Sequence, residues 1–414
     1  MLMEPVYITG SGIVSAIGVG KEATLAALQS GTTGIGKMKY LTSCHDDLPV
    51  GEVQLSNDEM MQLLGIGRDV RLTRTALMGR IALREALEEA QLLGKPLDGV
   101  HFISATTVGG MDRREEYHSQ EKDCDSVVAA IATHHCGHST QSIAEPFGPF
   151  ASLSTVSTAC SAATNAIITG ANMLRCGLAD IVVVGGSESL TRFHLNGFNA
   201  LMILDHEQCK PFDRDRAGLN LGEGAAYLVM ENARSLQQRG VTPRAVLSGY
   251  GNACDAFHQT ASSPDGEGAY RAMQEALHEA GIQPTDIQYI NAHGTGTQNN
   301  DESESQAIRR VFGSRIPPVS STKSFTGHTT SASGSIEAVI CLLALQHQFL
   351  PPNLNWHTPM EDGITPITHH PIANSQQLRA NSQQLTPITH ILSNAFGFGG
   401  NDSSIILSKG KSDE

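Results

Sequence analysis

The sequence predicts an α/β protein of two similar halves, residues 1–243 and 244–414, related by a pseudo-twofold axis. Three observations carry that prediction. A strand ending in glycines, Val6-Tyr-Ile-Thr-Gly-Ser-Gly12, is answered by Ala245-Val-Leu-Ser-Gly-Tyr-Gly251. The helical stretch Arg84-Glu-Ala-Leu-Glu-Glu-Ala90 and the strand that follows it from Asp98 return as Gln274-Glu-Ala-Leu-His-Glu-Ala280 and the strand from Asp286. The doubly apolar run Asp180-Ile-Val-Val-Val-Gly-Gly186 is matched by His390-Ile-Leu-Ser-Asn-Ala-Phe396. A repeat of this length means one supersecondary plan used twice, and a twofold axis then brings equivalent loops face to face.

In chain order, Val6 to Gly12 reads as a buried strand and a turn. Gly67 to Leu93 holds an amphipathic helix, with Leu77, Ile81, Leu87 and Ala90 at helical spacing and Gly94 as its stop. Val100 to Gly110 is the next strand and turn, and the polar stretch from Asp112 to Phe150 reads as helices and loops covering a site. Thr155 to Thr158 is a short extended approach to Cys160, where a helix rich in small and apolar residues begins. Strands from Asp180 and Gly222, then a polar helix over Ala233 to Arg239, complete the first half. In the second half the segment Lys323 to Leu345 occupies the place of the Cys160 helix. The echo of Asn374-Ser-Gln-Gln-Leu in Asn381-Ser-Gln-Gln-Leu is of another kind and reads as a duplicated surface loop.

Composition narrows the function classes. An apolar content of 40% with 17% charged residues fits a globular core rather than a disordered or fibrous chain. A net charge of −14 argues against a nucleic-acid surface, because phosphate binding needs clustered Lys and Arg. The longest solid apolar run, Ala338 to Leu345, is too short for membrane insertion, and the start has no basic leader, so a cytoplasmic protein is expected. Eight scattered cysteines without a CxxC pair read as reduced thiols. The tract His134-His-Cys-Gly-His138 lacks a second ligand pair at regular spacing and is expected to be surface or cap residues, with no metal.

Candidate functional residues gather around Cys160. At a helix N-terminus the free N–H groups and the macrodipole favour the thiolate, the nucleophilic form of a cysteine. Asn291-Ala-His293-Gly-Thr295-Gly-Thr297 and Lys323-Ser-Phe-Thr-Gly-His328 each present a histidine in a glycine- and threonine-containing loop after a strand. Asn394-Ala-Phe396-Gly-Phe398-Gly-Gly400 offers a backbone N–H and an aromatic ring hinged between glycines. Lys210-Pro-Phe-Asp-Arg-Asp-Arg-Ala-Gly218, with Gly222-Glu-Gly224, is a charged loop suited to support the floor.

Together these five stretches, in this order and over almost the whole chain, resemble the β-ketoacyl-ACP synthases, condensing enzymes with the thiolase fold. The resemblance implies two α/β halves with buried helices between sheets, and an acyltransferase that joins an acyl group held on Cys160 to malonyl-ACP with loss of CO2. Carried over position by position, it implies that His293 and His328 are the active-site histidines and that both donate to the enolate oxygen. Lys323 would be an electrostatic organiser paired with Glu304, and Asp301 a second supporting carboxylate. The N–H groups of Cys160 and Phe398 would form the oxyanion hole, Phe398 also acting as a gate. Thr295 and Thr297 would contact phosphopantetheine; Val108 would line the acyl pocket, and Phe396 is a further substrate-side candidate. No cofactor is implied, since phosphopantetheine arrives on the acyl carrier protein. A homodimer is implied, and Arg68, Arg71 and Arg74 are the candidate docking arginines for the acidic carrier, from their clustering in an acidic chain.

The chain departs from that pattern after His328. Thr329-Thr-Ser-Ala-Ser-Gly334 replaces a leucine-, glycine- and alanine-rich stretch, which leaves a specialised polyketide or aryl polyene pathway open beside fatty-acid elongation. A thiolase would need a second cysteine in the C-terminal loop, an initiating synthase an asparagine at His328, and a non-catalytic partner subunit would lack Cys160.

Overall fold

The computed structural model describes residues 4–67, 69, 72–118, 131–368 and 387–410. The duplicated pentapeptide, Arg68 and Arg71 lie outside the described residues. Among the described residues thirteen strands are formed: β1 (Val6–Ser15), β2 (Gly18–Val19), β3 (Ile35–Gly36), β4 (Val50–Gly51), β5 (Val100–Ala105), β6 (Ser152–Val156), β7 (Ile181–Glu188), β8 (Gly224–Glu231), β9 (Ala245–Cys254), β10 (Tyr289–Asn291), β11 (Val319–Ser320), β12 (His390–Gly397) and β13 (Asn401–Ser408). The principal sheet runs β11-β10-β12-β13-β9-β1-β8-β7-β5-β6, with β2 paired to β1. Read outward from the centre, each half repeats the same sequence of pairings. Antiparallel contacts join β1 to β8 and β8 to β7, as they join β9 to β13 and β13 to β12. Parallel contacts then join β7 to β5 and β5 to β6, as they join β12 to β10 and β10 to β11. The halves meet where β1 pairs antiparallel with β9. This is the arrangement the sequence repeat predicts.

Burial explains why these stretches become strands and helices. β8 is buried along its whole length, and β7 at all but its first residue, so an unbroken apolar run is the favoured pattern. The helix Ser333–His347 is buried from Ser333 to Leu345 and touches β8, β1 and β7 of one half as well as β12 and β13 of the other. A helix apolar on every side belongs inside, and here it lies between the two half-sheets beside the helix Ala162–Arg175. The cluster that joins them includes Ile8, Ile167, Val184, Ile336, Leu342 and Leu407.

Two boundaries differ from the sequence reading. The first-half helix is Arg74–Glu89, started by the Thr73 hydroxyl, which accepts from the Ala76 N–H, and ended at Ala90 rather than Gly94. Every residue from Arg74 to Leu83 is buried, so its first turns are a core helix and not an amphipathic one. The helix after the candidate nucleophile begins at Ala162, preceded by one 3-10 turn over Ala159–Ser161 that carries Cys160.

Arg74 is placed against its expected role. Only 8% exposed, its guanidinium binds Glu223 Oε1 at 2.6 Å and the carbonyls of Val53 and Leu55 at 2.9 Å each. A buried, fully engaged arginine is not available to a carrier protein. Arg74→Ala leaves the Glu223 carboxylate buried without its counter-charge, and a loss of about 3–5 kcal/mol of stability is expected in denaturant unfolding. The Michaelis constant for a carrier-borne substrate, measured on the folded fraction, is expected to stay unchanged.

Candidate active site

Cys160 is set by backbone strain. The residue before it, Ala159, has φ of 50°, a left-handed conformation that non-glycine residues rarely adopt, and this sharp turn ends the approach from β6. The symmetry-related turn, Thr330–Ala332, repeats the strain at Thr330 with φ of 46°. The two turns are packed together, and Gly334 permits it: a Cβ there would lie 2.0 Å from Thr164 Oγ1. A loop from each half is thereby held at one point.

The loops bring the three principal side chains together. Cys160 Sγ lies 3.1 Å from His328 Nε2. The rings of His293 and His328 are 5.3 Å apart, edge to face, and Phe396 packs 5.6 Å from His293. The backbone N–H groups of Phe398 and Cys160 both lie close enough to Sγ to favour its charged form. Cys160, His293 and His328 line one cavity of about 390 Å³, together with Thr295, Thr297 and Phe398. Phe398 is partly exposed, and its ring stacks at 5.9 Å on Phe198, which also lines the cavity. Val108 is buried, with its N–H on Glu188, and does not line this cavity.

The electrostatics correct one expectation. Burial pushes the Cys160 thiol up to about 11, against the opposing pull of Lys323 and the two backbone donors, so the resting sulfur at neutral pH is the thiol rather than the thiolate. Burial, then the Lys323 ammonium, holds both imidazoles well below the usual histidine range. Both histidines are therefore neutral, each with one N–H and one lone pair.

A second correction concerns Lys323. Its Nζ pairs with Glu337 Oε1 at 2.5 Å and lies 3.3 Å from His293 Nδ1, and it does not pair with Glu304. Glu304 is occupied elsewhere, accepting from the N–H groups of His293 at 2.9 Å and Gly294 at 2.8 Å and from Asn394 Nδ2 at 3.0 Å. It fixes the backbone of the first histidine loop. Asp301 does the same one step further on, accepting from Gly296 N–H at 3.2 Å and Phe212 N–H at 2.7 Å. Burial raises both carboxyls, that of Glu304 to about 7.

Sequence reasoning missed three contributors. Glu337 is the lone acid in an otherwise apolar helix, which is the signal that it has a buried partner. Ser333, in the polar stretch noted after His328, places its hydroxyl 3.0 Å from His328 Nδ1. Phe198, on the helix Arg192–Ala200, carried no signal. Within the histidine tract the His135 side chain caps the helix Cys136–Ala144, the cap role expected of this stretch.

Comparison with known proteins agrees with this geometry. Residues 3–235 match the family described as beta-ketoacyl synthase, N-terminal domain, and residues 244–357 its C-terminal domain. The 3-oxoacyl-[acyl-carrier-protein] synthase 2 of Staphylococcus aureus (strain N315) is 33% identical over 426 residues, covering 98% of both chains. Its namesake from Rhizobium meliloti (strain 1021) is 41% identical over 263 residues, 61% of this chain and 59% of that one. Among solved structures, the ishigamide ketosynthase/chain length factor superposes with a TM-score of 0.87 at 28% identity, covering 99% of this chain and 100% of that one. The ketosynthase ApeO in complex with its chain length factor ApeC from Xenorhabdus doucetiae gives 0.79 at 28% identity, covering 98% of each. With both of its halves matched, and with Cys160, His293 and His328 meeting in one cavity, the chain belongs to the β-ketoacyl synthase family.

Proposed function

We propose that this protein is a β-ketoacyl-ACP synthase that extends an acyl chain in fatty-acid elongation, by decarboxylative condensation of an acyl-Cys160 enzyme with malonyl-ACP. The observation that carries the reading is the meeting of Cys160 Sγ with His328 Nε2 at 3.1 Å, with His293 beside it. An acyl thioester carried by phosphopantetheine enters the cavity past Thr295 and Thr297. Sγ attacks its carbonyl, and the N–H groups of Cys160 and Phe398 hold the oxyanion, a contribution of about 3 kcal/mol per donor. The carrier thiol leaves and malonyl-ACP takes its place. Loss of CO2 then puts negative charge on the malonyl thioester oxygen, which an imidazole N–H of the site stabilises. The resulting carbanion attacks the acyl-cysteine and releases β-ketoacyl-ACP.

The relatives named 3-oxoacyl-[acyl-carrier-protein] synthase 2 support the substrate class, and the condensation needs no cofactor beyond the arm on the carrier. A ketosynthase of a specialised polyketide or aryl polyene pathway is the second reading. It is favoured by the hydroxyl-rich stretch Thr329–Ser333 and by the ketosynthase/chain length factor structures among the neighbours. A dimer is part of either reading. Among the described residues β6 is the last strand of the sheet and leaves Leu153 exposed, a surface that a second subunit of the same or related sequence can cover. No helix of the described residues is long and apolar enough to cross a membrane. A cytoplasmic location is part of the proposal, on the strength of the carrier-borne substrates it names.

The test is incubation of the purified protein with malonyl-ACP and a panel of saturated and polyunsaturated acyl-ACPs. Release of CO2 with formation of β-ketoacyl-ACP from the saturated donors is expected. Turnover of polyene donors alone would transfer the assignment to the second reading, and no product with any donor would contradict both.

A further inference from the structure

We infer that Ser333 is a positioning residue that makes His328 the general base for Cys160, leaving His293 as the fixed N–H donor of the site; this rests on the ketosynthase reading above. The two histidines have different partners on the nitrogen that faces away from the cysteine. His293 Nδ1 faces the Lys323 ammonium at 3.3 Å. An ammonium only donates, so Nδ1 must accept and the proton of His293 is held on Nε2. His328 Nδ1 faces the Ser333 hydroxyl at 3.0 Å, and a hydroxyl can accept.

The chain of contacts fixes the direction. The Cys160 thiol is buried, and its S–H needs an acceptor; the facing atom is His328 Nε2 at 3.1 Å. If Nε2 offers its lone pair, the imidazole proton is on Nδ1 and donates to Ser333 Oγ. The Ser333 proton then has Thr329 Oγ1 as its acceptor at 3.1 Å. Ser333 and Thr329 are each no more than 2% exposed, so water does not supply these partners from the surface. Run this way, the four groups in line from sulfur to threonine satisfy one another, whereas the reversed chain, with His328 Nε2–H turned to the sulfur, gives the buried S–H no acceptor at His328.

The proton balance follows. As Sγ bonds to the acyl carbon, the thiol proton passes to His328 Nε2 and the ring becomes an imidazolium, its Nδ1–H held by Ser333. When the tetrahedral intermediate collapses, the carbon–sulfur bond to the carrier breaks and Nε2 returns that proton to the departing sulfur. The free carrier thiol leaves with the proton that Cys160 gave up, and His328 ends as it began. In the decarboxylation step His293, held by Lys323, presents the N–H to the enolate oxygen without any change of tautomer.

The experiment separates the two partial reactions in the full-length protein. Modification of the Cys160 peptide by iodoacetamide is followed by mass spectrometry across pH, and decarboxylation of malonyl-ACP is measured alongside. For Ser333→Ala, which leaves Nδ1–H without an acceptor and favours the other tautomer, Cys160 alkylation and acylation at pH 7 are expected to fall about 10- to 100-fold. The alkylation profile is expected to move to higher pH, while decarboxylation changes less than about twofold, since its donor, the His293 Nε2–H held by Lys323, remains. Ser333→Thr, which keeps the hydroxyl, is expected to restore acylation. Should Ser333→Ala fail to fold, Thr329→Val removes the end of the same chain and is expected to shift the profile in the same direction. An unshifted alkylation profile, or an equal fall in both partial reactions, would overturn the role of Ser333. A wild-type protein that neither acylates Cys160 nor decarboxylates malonyl-ACP would instead overturn the ketosynthase reading.

Discussion

Cys160→Ala is expected to abolish condensation, with a fall of about 10⁴-fold or more in β-ketoacyl product, because the variant removes the thiol of the cavity, the group that faces His328 Nε2. The fold should be little affected, since alanine removes one buried sulfur from a turn whose shape is set by Ala159 and the packing of Gly334 on Thr164. Decarboxylation of malonyl-ACP should continue in this variant, because both imidazoles and their Nδ1 partners remain. The measurement is product formation from acyl-ACP and malonyl-ACP, with CO2 release followed in the same samples. Retained condensation would mean that the acyl chain rides elsewhere, and the site as described would be wrong.

Lys323→Met is expected to be the other large effect, and it acts twice. Lys323 and Glu337 are both buried, so removing one charge strands the other in a low-dielectric core, with a stability loss of about 3–5 kcal/mol. The change also frees His293 Nδ1, so that the ring no longer has to keep its proton on Nε2, and decarboxylation should fall about 10²-fold. The double variant Lys323→Met with Glu337→Gln separates the two consequences. Stability should return to within about 1–2 kcal/mol of the parent, as expected when a buried pair is replaced rather than broken, while decarboxylation stays low. Recovery of both together would make the lysine structural only.

The fold was legible in the sequence because the repeat is long and its strands end in recognisable glycines. β1 and β9, β7 and β12, and the central helices were all placed by comparing one half with the other. Element ends were less legible. The Arg74–Glu89 helix starts where the Thr73 hydroxyl finds an N–H, a choice that depends on the backbone already being there. Cys160, His293 and His328 stood out as candidates because each lies in a turn or loop of small residues, Cys160 after β6, His293 after β10 and His328 just past the short helix Lys323–Thr326.

Charge pairing was the illegible part. Lys323 has Glu304, 19 positions earlier, and Glu337, 14 positions later, and only the fold shows that Glu304 is spent on the His293 loop. Arg74 looked like surface charge because sequence clustering says nothing about depth, and Glu223 lies 149 positions away. The reactivity of Cys160 was misjudged for a related reason. A helix N-terminus favours the thiolate, but the same loops that bring the histidines to the sulfur also exclude water from it, and here exclusion wins.

The central claim is that a sulfur from one half accepts the acyl group and imidazoles from the other drive its extension, and single-turnover mass spectrometry addresses it most directly. The protein is charged with one equivalent of acyl-ACP, the Cys160 peptide is weighed, and malonyl-ACP is then added. The account predicts that the Cys160 peptide gains the mass of the acyl group and loses it on malonyl addition, as β-ketoacyl-ACP forms in equal amount. An unmodified Cys160, or an acyl group that persists there while product accumulates, would contradict it.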